Sequence, residues 1–298
     1  MKFSYLLSEI LRGSWAIEPQ TALAHGQLVA NLLLGADEYF EERKPWSFQF
    51  GGGAWTSGSN YNDAPAGSVA IIPVKGTMLK YGTLCSYGTT EIASKMQDAM
   101  LSKKISAIVL DIDSGGGAVN SISPLMQVIA GKSKPIVALA DMDGSAAYWI
   151  SSACDYVMAE NRLSSCFGSI GVVNSFADFQ PMYEREGVKF HTIYAPESKD
   201  KNQAFEKALK GDYELMQSEI LSPLAIQFQN HVKQSRQKKL KAETPGLLSG
   251  KMFFAEDALK AGLIDGIGNM QQAIQKALDL AEVQKFMKIG RASCRERV

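Results

Sequence analysis

Residues 107–119 read AIVLDIDSGGGAV, a run of Val, Ile and Leu that passes into acidic residues and then into three glycines. Apolar runs rich in Val and Ile favour a buried strand, and the pattern that begins near Val119 favours a helix after the glycines. Glycines in this place let the backbone approach a ligand closely and leave free N–H groups that can hold negative charge. The stretch predicts either a plain tight turn or a loop that binds a phosphate or an oxyanion.

Neighbouring parts of the chain repeat this order of strand and helix. Short runs rich in Val and Ile at 68–76, 135–141 and 188–195 indicate further strands. Strands that alternate with helices predict an α/β fold with a parallel sheet covered on both faces. A charged helical stretch at 203–241 and an amphipathic helix at 270–283 follow. The helical patterns between the strands lie at 90–102, 119–131, 145–154 and 177–187.

Composition divides the chain into four parts. Residues 1–45 carry apolar side chains at helical spacing, which predicts a small N-terminal segment of two short helices. Residues 46–67 are rich in Gly, Ser and Asn, which predicts a flexible linker. Residues 68–283 form the α/β domain. The last residues, 288–298, read KIGRASCRERV and resemble the translation of a sequencing adapter, so we interpret them as an artefact or a truncated tail.

Charge and cysteine usage disfavour several classes of function. Lys and Arg number 31, and Asp and Glu also number 31, so the chain has no basic excess for binding nucleic acid or an anionic membrane. The four cysteines lack the paired spacing of a zinc site or a redox motif, and we expect neither a metal nor a cofactor. The N-terminus makes a poor secretory signal, and no run reaches the ~18 apolar residues of a membrane span. We therefore expect a soluble protein of the cytoplasm.

A second motif, GSAAYW, follows the predicted strand at 135–141. A serine in the first turn of a helix is usually only an N-cap. Here the small residues after Ser145 allow a tight turn from strand to helix, which would expose the Ser145 hydroxyl at the carboxyl edge of the sheet. Functional sites of α/β proteins lie at this edge. Ser145 is therefore a candidate nucleophile.

A serine nucleophile requires a base, and the sequence alone leaves the base open. The usual base is a histidine. None of the three histidines, His25, His191 and His231, lies where a motif would place it. The other common choice is a lysine, and Lys199 and Lys201 follow the last predicted strand. Most lysines are solvated surface charges, so spacing does not single these two out.

The order and spacing of six motifs resemble the signal peptide peptidase A and protease IV family. The resemblance covers roughly residues 68–283, and WAIEP at 15–19 is similar to an N-terminal signature of the phage capsid-assembly proteases within that family. The resemblance implies a crotonase-like or Clp-protease-like α/β fold with a parallel sheet flanked by helices. The matching motifs are VAIIPVKG, DIDSGGGAV, GSAAYWISSACD, FGSIGVV, SKD and GKMFFAEDALKAGLIDGIG.

The resemblance also implies a catalytic Ser/Lys dyad. Ser145 of GSAAYW matches the nucleophile and Lys199 of SKD matches the general base, with Lys201 as the alternative base. Backbone N–H groups would form the oxyanion hole, which stabilises the negative charge that develops on the carbonyl oxygen. These donors are matched by Gly117 or Gly116 and by Ala146.

The resemblance implies a serine endopeptidase that acts on polypeptides through an acyl-enzyme. We expect a phage or prophage protease that cleaves scaffold, portal or capsid protein in an assembling procapsid in the host cytoplasm. The resemblance also implies a homo-oligomeric ring whose active sites are shared between protomers. The alternatives are a host-type signal peptide peptidase, a crotonase-type acyl-CoA enzyme, and a non-catalytic assembly component.

Overall fold

The computed structural model describes residues 15–17, 46, 48–51, 56–58, 60–83, 86–176 and 178–295. The helices expected within residues 1–45 lie outside the described residues, which in that part of the chain form a single short strand. In chain order the described strands are β1 (Trp15–Ile17), β2 (Phe48–Gly51), β3 (Thr56–Gly58), β4 (Ser68–Lys75), β5 (Ile105–Ser114), β6 (Gly116–Ala118), β7 (Ile136–Gly144), β8 (Tyr156–Ala159), β9 (Cys166–Gly168), β10 (Met252–Phe254) and β11 (Gly266–Ile267).

The centre of the molecule is a sheet built on three long parallel strands, β4, β5 and β7. Val109 of β5 pairs with Ile71 of β4 on one side and with Val137 of β7 on the other. All three side chains are buried, as expected for strands whose sequences are nearly continuous runs of Val, Ile and Leu. The strands predicted at 68–76, 107–113 and 135–141 are confirmed. The full order of the sheet is β10-β9-β7-β5-β4-β2-β3, with β8 beside β7 and β11 beside β8.

Helices cover both faces of this sheet. Ile108 and Leu110 point to a large core shared with the first three helices, whereas Val109 points to a second core formed with Ala273, Ile274 and other residues of the last helix. The predicted α/β class is therefore confirmed. The described α-helices are α1 (Thr89–Leu101), α2 (Ile122–Ala130), α3 (Ala146–Ser151), α4 (Gln180–Arg185), α5 (Gln203–Leu209), α6 (Ser222–Arg236), α7 (Ala255–Ala261) and α8 (Met270–Arg295), and a π-helix (Met216–Leu221) precedes α6.

The strand predicted at 188–195 is wrong. This segment has no strand structure and is solvent-exposed over most of its length, with Phe190 50% and Ile193 92% exposed. Its alternating β-branched and aromatic residues suit a strand, but a strand also needs a hydrogen-bonding neighbour, and no described strand pairs with it. The helix predicted just before it, at 177–187, is reduced to α4.

The linker predicted at 46–67 is also wrong where the structure describes it. Strand β2 pairs with β4 in antiparallel fashion, and Phe50 and Tyr61 are buried. A Cβ atom at Gly51 would lie 2.5 Å from the Cδ1 atom of Ile274. The side chain of Asn60 accepts a hydrogen bond from the Asn62 N–H and caps the turn at Tyr61–Asp63. Gly51 therefore allows close packing and Asn60 caps a turn, so these two residues do not mark a linker.

The C-terminal helix continues into the segment interpreted as a sequencing artefact. Helix α8 extends as far as Arg295. The origin of residues 288–298 stays a prediction. Among the helices in the described part of the chain, none combines the length and the apolar character needed to cross a bilayer.

Candidate active site

Ser145 occupies the tight turn that joins β7 to α3. Its backbone dihedrals are φ 56° and ψ −116°, a conformation that non-glycine residues rarely adopt. Its N–H donates a hydrogen bond of 2.8 Å to the carbonyl oxygen of Gly168 in β9. Backbone strain of this kind costs about 1–3 kcal/mol and is often found at functional sites. The same strand-turn-helix geometry presents the serine of other hydrolases to substrate.

The hydroxyl of Ser145 is buried and has no hydrogen-bond partner among the described residues. The residue is 1% exposed. Ser145 occupies the N-cap position of α3, but its side chain makes no capping hydrogen bond to the helix. A buried hydroxyl without a partner costs about 1–3 kcal/mol. The hydroxyl is thus available to a group that the described residues do not supply.

Helix α3 is held firmly, which explains how the strained turn is maintained. All six of its residues are buried. The hydroxyl of Tyr148 donates a hydrogen bond of 2.7 Å to the carbonyl oxygen of Leu263, and the ring of Trp149 stacks on Phe228 at 4.3 Å between centroids. The N–H of Ala146, at the start of this helix, is therefore fixed beside Ser145.

The glycine loop of the first motif lies next to this turn. Ser114 at the end of β5 is paired with Asp143 of β7, two residues before Ser145. Gly116 has a φ of 100°, which favours glycine, and a Cβ atom at Gly117 would lie 2.0 Å from the carbonyl oxygen of Met78. The glycines at 116 and 117 are thus required by backbone conformation and by close packing respectively.

The hydrogen bonds of β6 distinguish the two glycines matched to the oxyanion hole. The Gly116 N–H donates to Oγ of Ser114 at 3.1 Å, and its carbonyl accepts from the Met78 N–H at 2.9 Å. The Ala118 N–H donates to the Met78 carbonyl at 2.9 Å. Because successive residues of a strand direct their peptide groups to opposite edges, the N–H of Gly117 faces away from Met78. Because the Gly116 N–H is already bonded to Ser114, this geometry favours Gly117 over Gly116 as the oxyanion donor.

The predicted base is not brought to Ser145 within one chain. Lys199 and Lys201 are both exposed and follow a 3₁₀ turn at Pro196–Ser198. The carbonyl oxygen of Lys199 accepts a hydrogen bond of 2.9 Å from Gln203. Since Ser145 Oγ has no partner among the described residues, neither lysine ammonium group is within hydrogen-bond distance of it.

Neither of the two described histidines takes the place of the base. His191 is exposed in the segment that was expected to be a strand. His231 lies in α6, where its ring is 6.3 Å from that of Trp149 and burial lowers its pKa. It contacts Ser235 at 3.1 Å and does not contact Ser145. His25 lies outside the described residues.

Sequence reasoning missed the buried carboxyl group of Asp143. The residue is 0% exposed, and its Oδ2 accepts a hydrogen bond of 2.6 Å from Oγ of Ser151, the last residue of α3. Burial raises the pKa of Asp143 to about 7. The contact ties the end of β7 to α3. No sequence signal separates Asp143 from its partly exposed neighbour Asp141.

Most of the large exposed apolar side chains in the described part of the chain lie in one region. All described residues from 178 to 193 are exposed. Exposed apolar groups on this scale usually mark a protein interface. We call residues 173–226 the exposed segment; its large exposed apolar side chains are Val173, Phe176, Phe179, Met182, Tyr183, Val188, Phe190, Ile193, Phe205, Tyr213, Ile220 and Ile226.

A strained, buried serine beside a glycine loop defines a candidate hydrolase site, and the described residues contain no cluster of three potential metal ligands. Comparison with models of protein families shows which family of hydrolases the chain resembles. The model of peptidase family S49 matches residues 129–284, slightly more than half of the chain. The chain belongs to peptidase family S49, and the matched range includes both Ser145 and Lys199.

Individual relatives include cellular and phage proteases. Protease 4 of Salmonella typhi is 27% identical over 226 residues, which cover 74% of this chain and 36% of that protein. Putative protease MJ0651 of Methanocaldococcus jannaschii is 29% identical over 191 residues, which cover 63% of this chain and 60% of that protein. Capsid assembly protease C of Escherichia phage lambda is 26% identical over 227 residues, covering 73% and 50%. The chain spans less than two thirds of the length of each of these relatives.

Proposed function

We propose that the protein is a serine endopeptidase with Ser145 as nucleophile and Lys199 as general base. The observation that carries this proposal is the strained turn at Ser145, whose buried hydroxyl has no partner among the described residues. Membership of peptidase family S49 supports it. Gly117 of the glycine loop and Ala146 at the start of α3 are the backbone donors proposed for the oxyanion hole that such a site requires.

The proposed reaction is acyl transfer. The neutral amine of Lys199 takes the Ser145 hydroxyl proton as Oγ attacks the carbonyl carbon of the scissile peptide bond. The oxyanion accepts hydrogen bonds from the N–H groups of Gly117 and Ala146. The lysine ammonium then protonates the departing amine, and the C–N bond breaks. Water, deprotonated by the same lysine, hydrolyses the acyl-enzyme and regenerates Ser145.

The lysine is proposed to come from a neighbouring protomer of a homo-oligomeric ring. Two observations support this arrangement. Neither Lys199 nor Lys201 reaches Ser145 in the single chain. Both lysines lie in the exposed segment, whose apolar side chains would be covered by contact with another copy. Burial in that contact would favour the neutral amine.

The biological role is proposed to be capsid assembly in a phage or prophage. The WAIEP motif and the similarity to the phage lambda capsid assembly protease support this role. The substrates would be scaffold, portal or capsid protein in an assembling procapsid in the host cytoplasm. A host-type signal peptide peptidase is the second candidate, favoured by the similarity to protease 4 of Salmonella typhi. The two roles are separated by comparing cleavage of a co-expressed capsid or scaffold protein with cleavage of a signal peptide. Cleavage of the capsid or scaffold protein alone supports the phage role, and cleavage of the signal peptide alone supports the second candidate.

The dyad is tested by labelling with a fluorophosphonate and by hydrolysis of a peptide substrate. We expect Ser145→Ala and Lys199→Ala each to reduce hydrolysis by about 10⁴-fold or more, with no further loss in the double variant, because the two groups act as one unit. Lys201→Ala is the matched control and should keep activity near that of the wild type. Loss of activity in Lys201→Ala alone would reassign the base, and activity in both lysine variants would refute the dyad.

Sharing of sites between protomers has a separate test. If Ser145→Ala and Lys199→Ala subunits are co-expressed, a mixed ring contains sites that combine an intact serine from one subunit with an intact lysine from the next. We expect about a quarter of the sites to become active at equal amounts of the two subunits. Activity that stays at the level of the single variants, in oligomers shown to be mixed, would place both groups in one chain.

A further inference from the structure

The short N-terminal strand β1 pairs with the glycine loop. It runs antiparallel to β6, with Trp15 opposite Ala118, Ala16 opposite Gly117 and Ile17 opposite Gly116. The other edge of β6 is already taken by Met78, which bonds to Gly116 and Ala118. Strand β1 therefore covers the edge of β6 that the other described residues leave open.

The covered edge is the one that carries the candidate oxyanion donor. Since Gly116 and Ala118 direct their peptide groups to Met78, Gly117 directs its N–H and C=O to the opposite edge. The residue opposite Gly117 on that edge is Ala16. The backbone of Ala16 thus lies where the N–H of Gly117 would meet a substrate carbonyl.

An extended polypeptide can add to an open strand edge through main-chain hydrogen bonds. Such a segment and β1 would compete for the same edge of β6, so both cannot be bound at once. We propose that residues 15–17 act as an autoinhibitory strand that occupies the substrate position until it is displaced. This inference rests on the proposed peptidase function. As part of the same chain, the strand competes at high effective concentration.

Substitution of Ala16 tests the inference. Proline at this position has no N–H and cannot pair in the ladder, whereas valine keeps the N–H and favours a strand. We expect Ala16→Pro to raise the rate of Ser145 labelling by a fluorophosphonate, and kcat/KM for a peptide substrate, by roughly 3- to 10-fold. The matched control Ala16→Val should stay at or below the wild-type rates. Equal or lower rates in a folded Ala16→Pro protein would overturn the inference.

A synthetic peptide gives a second measurement that does not depend on the folding of a variant. The peptide of residues 13–19, GSWAIEP, should inhibit the full-length protein competitively, and the same peptide with proline in place of Ala16 should not. Equal effects of the two peptides would overturn the inference. Failure of the proposed function is distinguishable, because Ser145-dependent labelling and turnover would then be missing from the wild type and from every variant.

Discussion

At the scale of single residues, the site is marked by two energetically unfavourable features of Ser145. Ser145 has a positive φ and a buried hydroxyl without a partner among the described residues, and each feature costs about 1–3 kcal/mol. A capping serine would need neither, because its side chain would bond to the helix that it precedes. These costs are the physical reason for assigning the hydroxyl of Ser145 to chemistry with a second molecule.

Asp143 makes stability depend on pH. Burial raises its folded-state pKa from an ordinary value near 4 to about 7, so the folded protein binds a proton more tightly than the unfolded chain does. The free energy of unfolding should therefore fall as pH rises from about 4 to about 7 and level off above that range. Asp143→Asn removes this loss and should stabilise the protein at pH 8 by on the order of 2–4 kcal/mol.

Denaturant unfolding at pH 4 and at pH 8 checks this prediction. At pH 4 the wild-type carboxyl group is neutral in the folded state, so the two proteins should differ little. A stability difference that is the same at both pH values would show that Asp143 acts through packing and hydrogen bonding to Ser151 and not through its ionisation.

At the scale of elements, the glycine loop positions the oxyanion donor. Alanine at Gly117 would bring its Cβ to 2.0 Å from the Met78 carbonyl oxygen, so β6 must shift away from its place beside α3. We expect Gly117→Ala to reduce hydrolysis by about 10²-fold, the usual effect of losing one such donor. Gly131→Ala is the control, since its Cβ would meet no atom closer than 3.6 Å. Peptide hydrolysis with thermal melts measures both, and wild-type activity in Gly117→Ala would remove Gly117 from the oxyanion hole.

Some of these elements can be predicted from the sequence and others cannot. The three central strands are nearly continuous apolar runs because both of their faces are buried, so composition alone predicts them. Residues 188–195 carry an alternating pattern that also suits a strand, but most of them are exposed and no described strand pairs with them. The linker predicted at 46–67 fails at Gly51, because sequence does not distinguish a glycine that gives flexibility from one that allows Ile274 to pack closely. The pairing of Ala16 with Gly117 links positions about 100 residues apart, and no local pattern predicts it.

At the scale of the whole molecule, burial is distributed unevenly. The sheet and its covering helices contain the cores, whereas the exposed segment leaves twelve large apolar side chains in contact with solvent. Exposure of that many apolar groups is unfavourable for an isolated monomer. The lysines proposed as the base lie in this same segment, so assembly and completion of the active site would be a single event.

Removal of N-terminal residues distinguishes a linker from an integral part of the sheet. Composition alone predicts that a fragment of residues 68–287 folds as the full chain does. The structure instead predicts a loss of stability, because deletion of β2 uncovers the edge of β4 and removes the buried side chain of Phe50. Loss of one buried Phe alone costs about 3–5 kcal/mol, and an uncovered edge strand promotes aggregation.

A fragment of residues 46–287 is the matched control and should keep a thermal midpoint close to that of the full chain. Thermal melts and light scattering compare the two fragments, and equal midpoints with equal scattering would show that β2 and β3 contribute nothing to the stability of the domain.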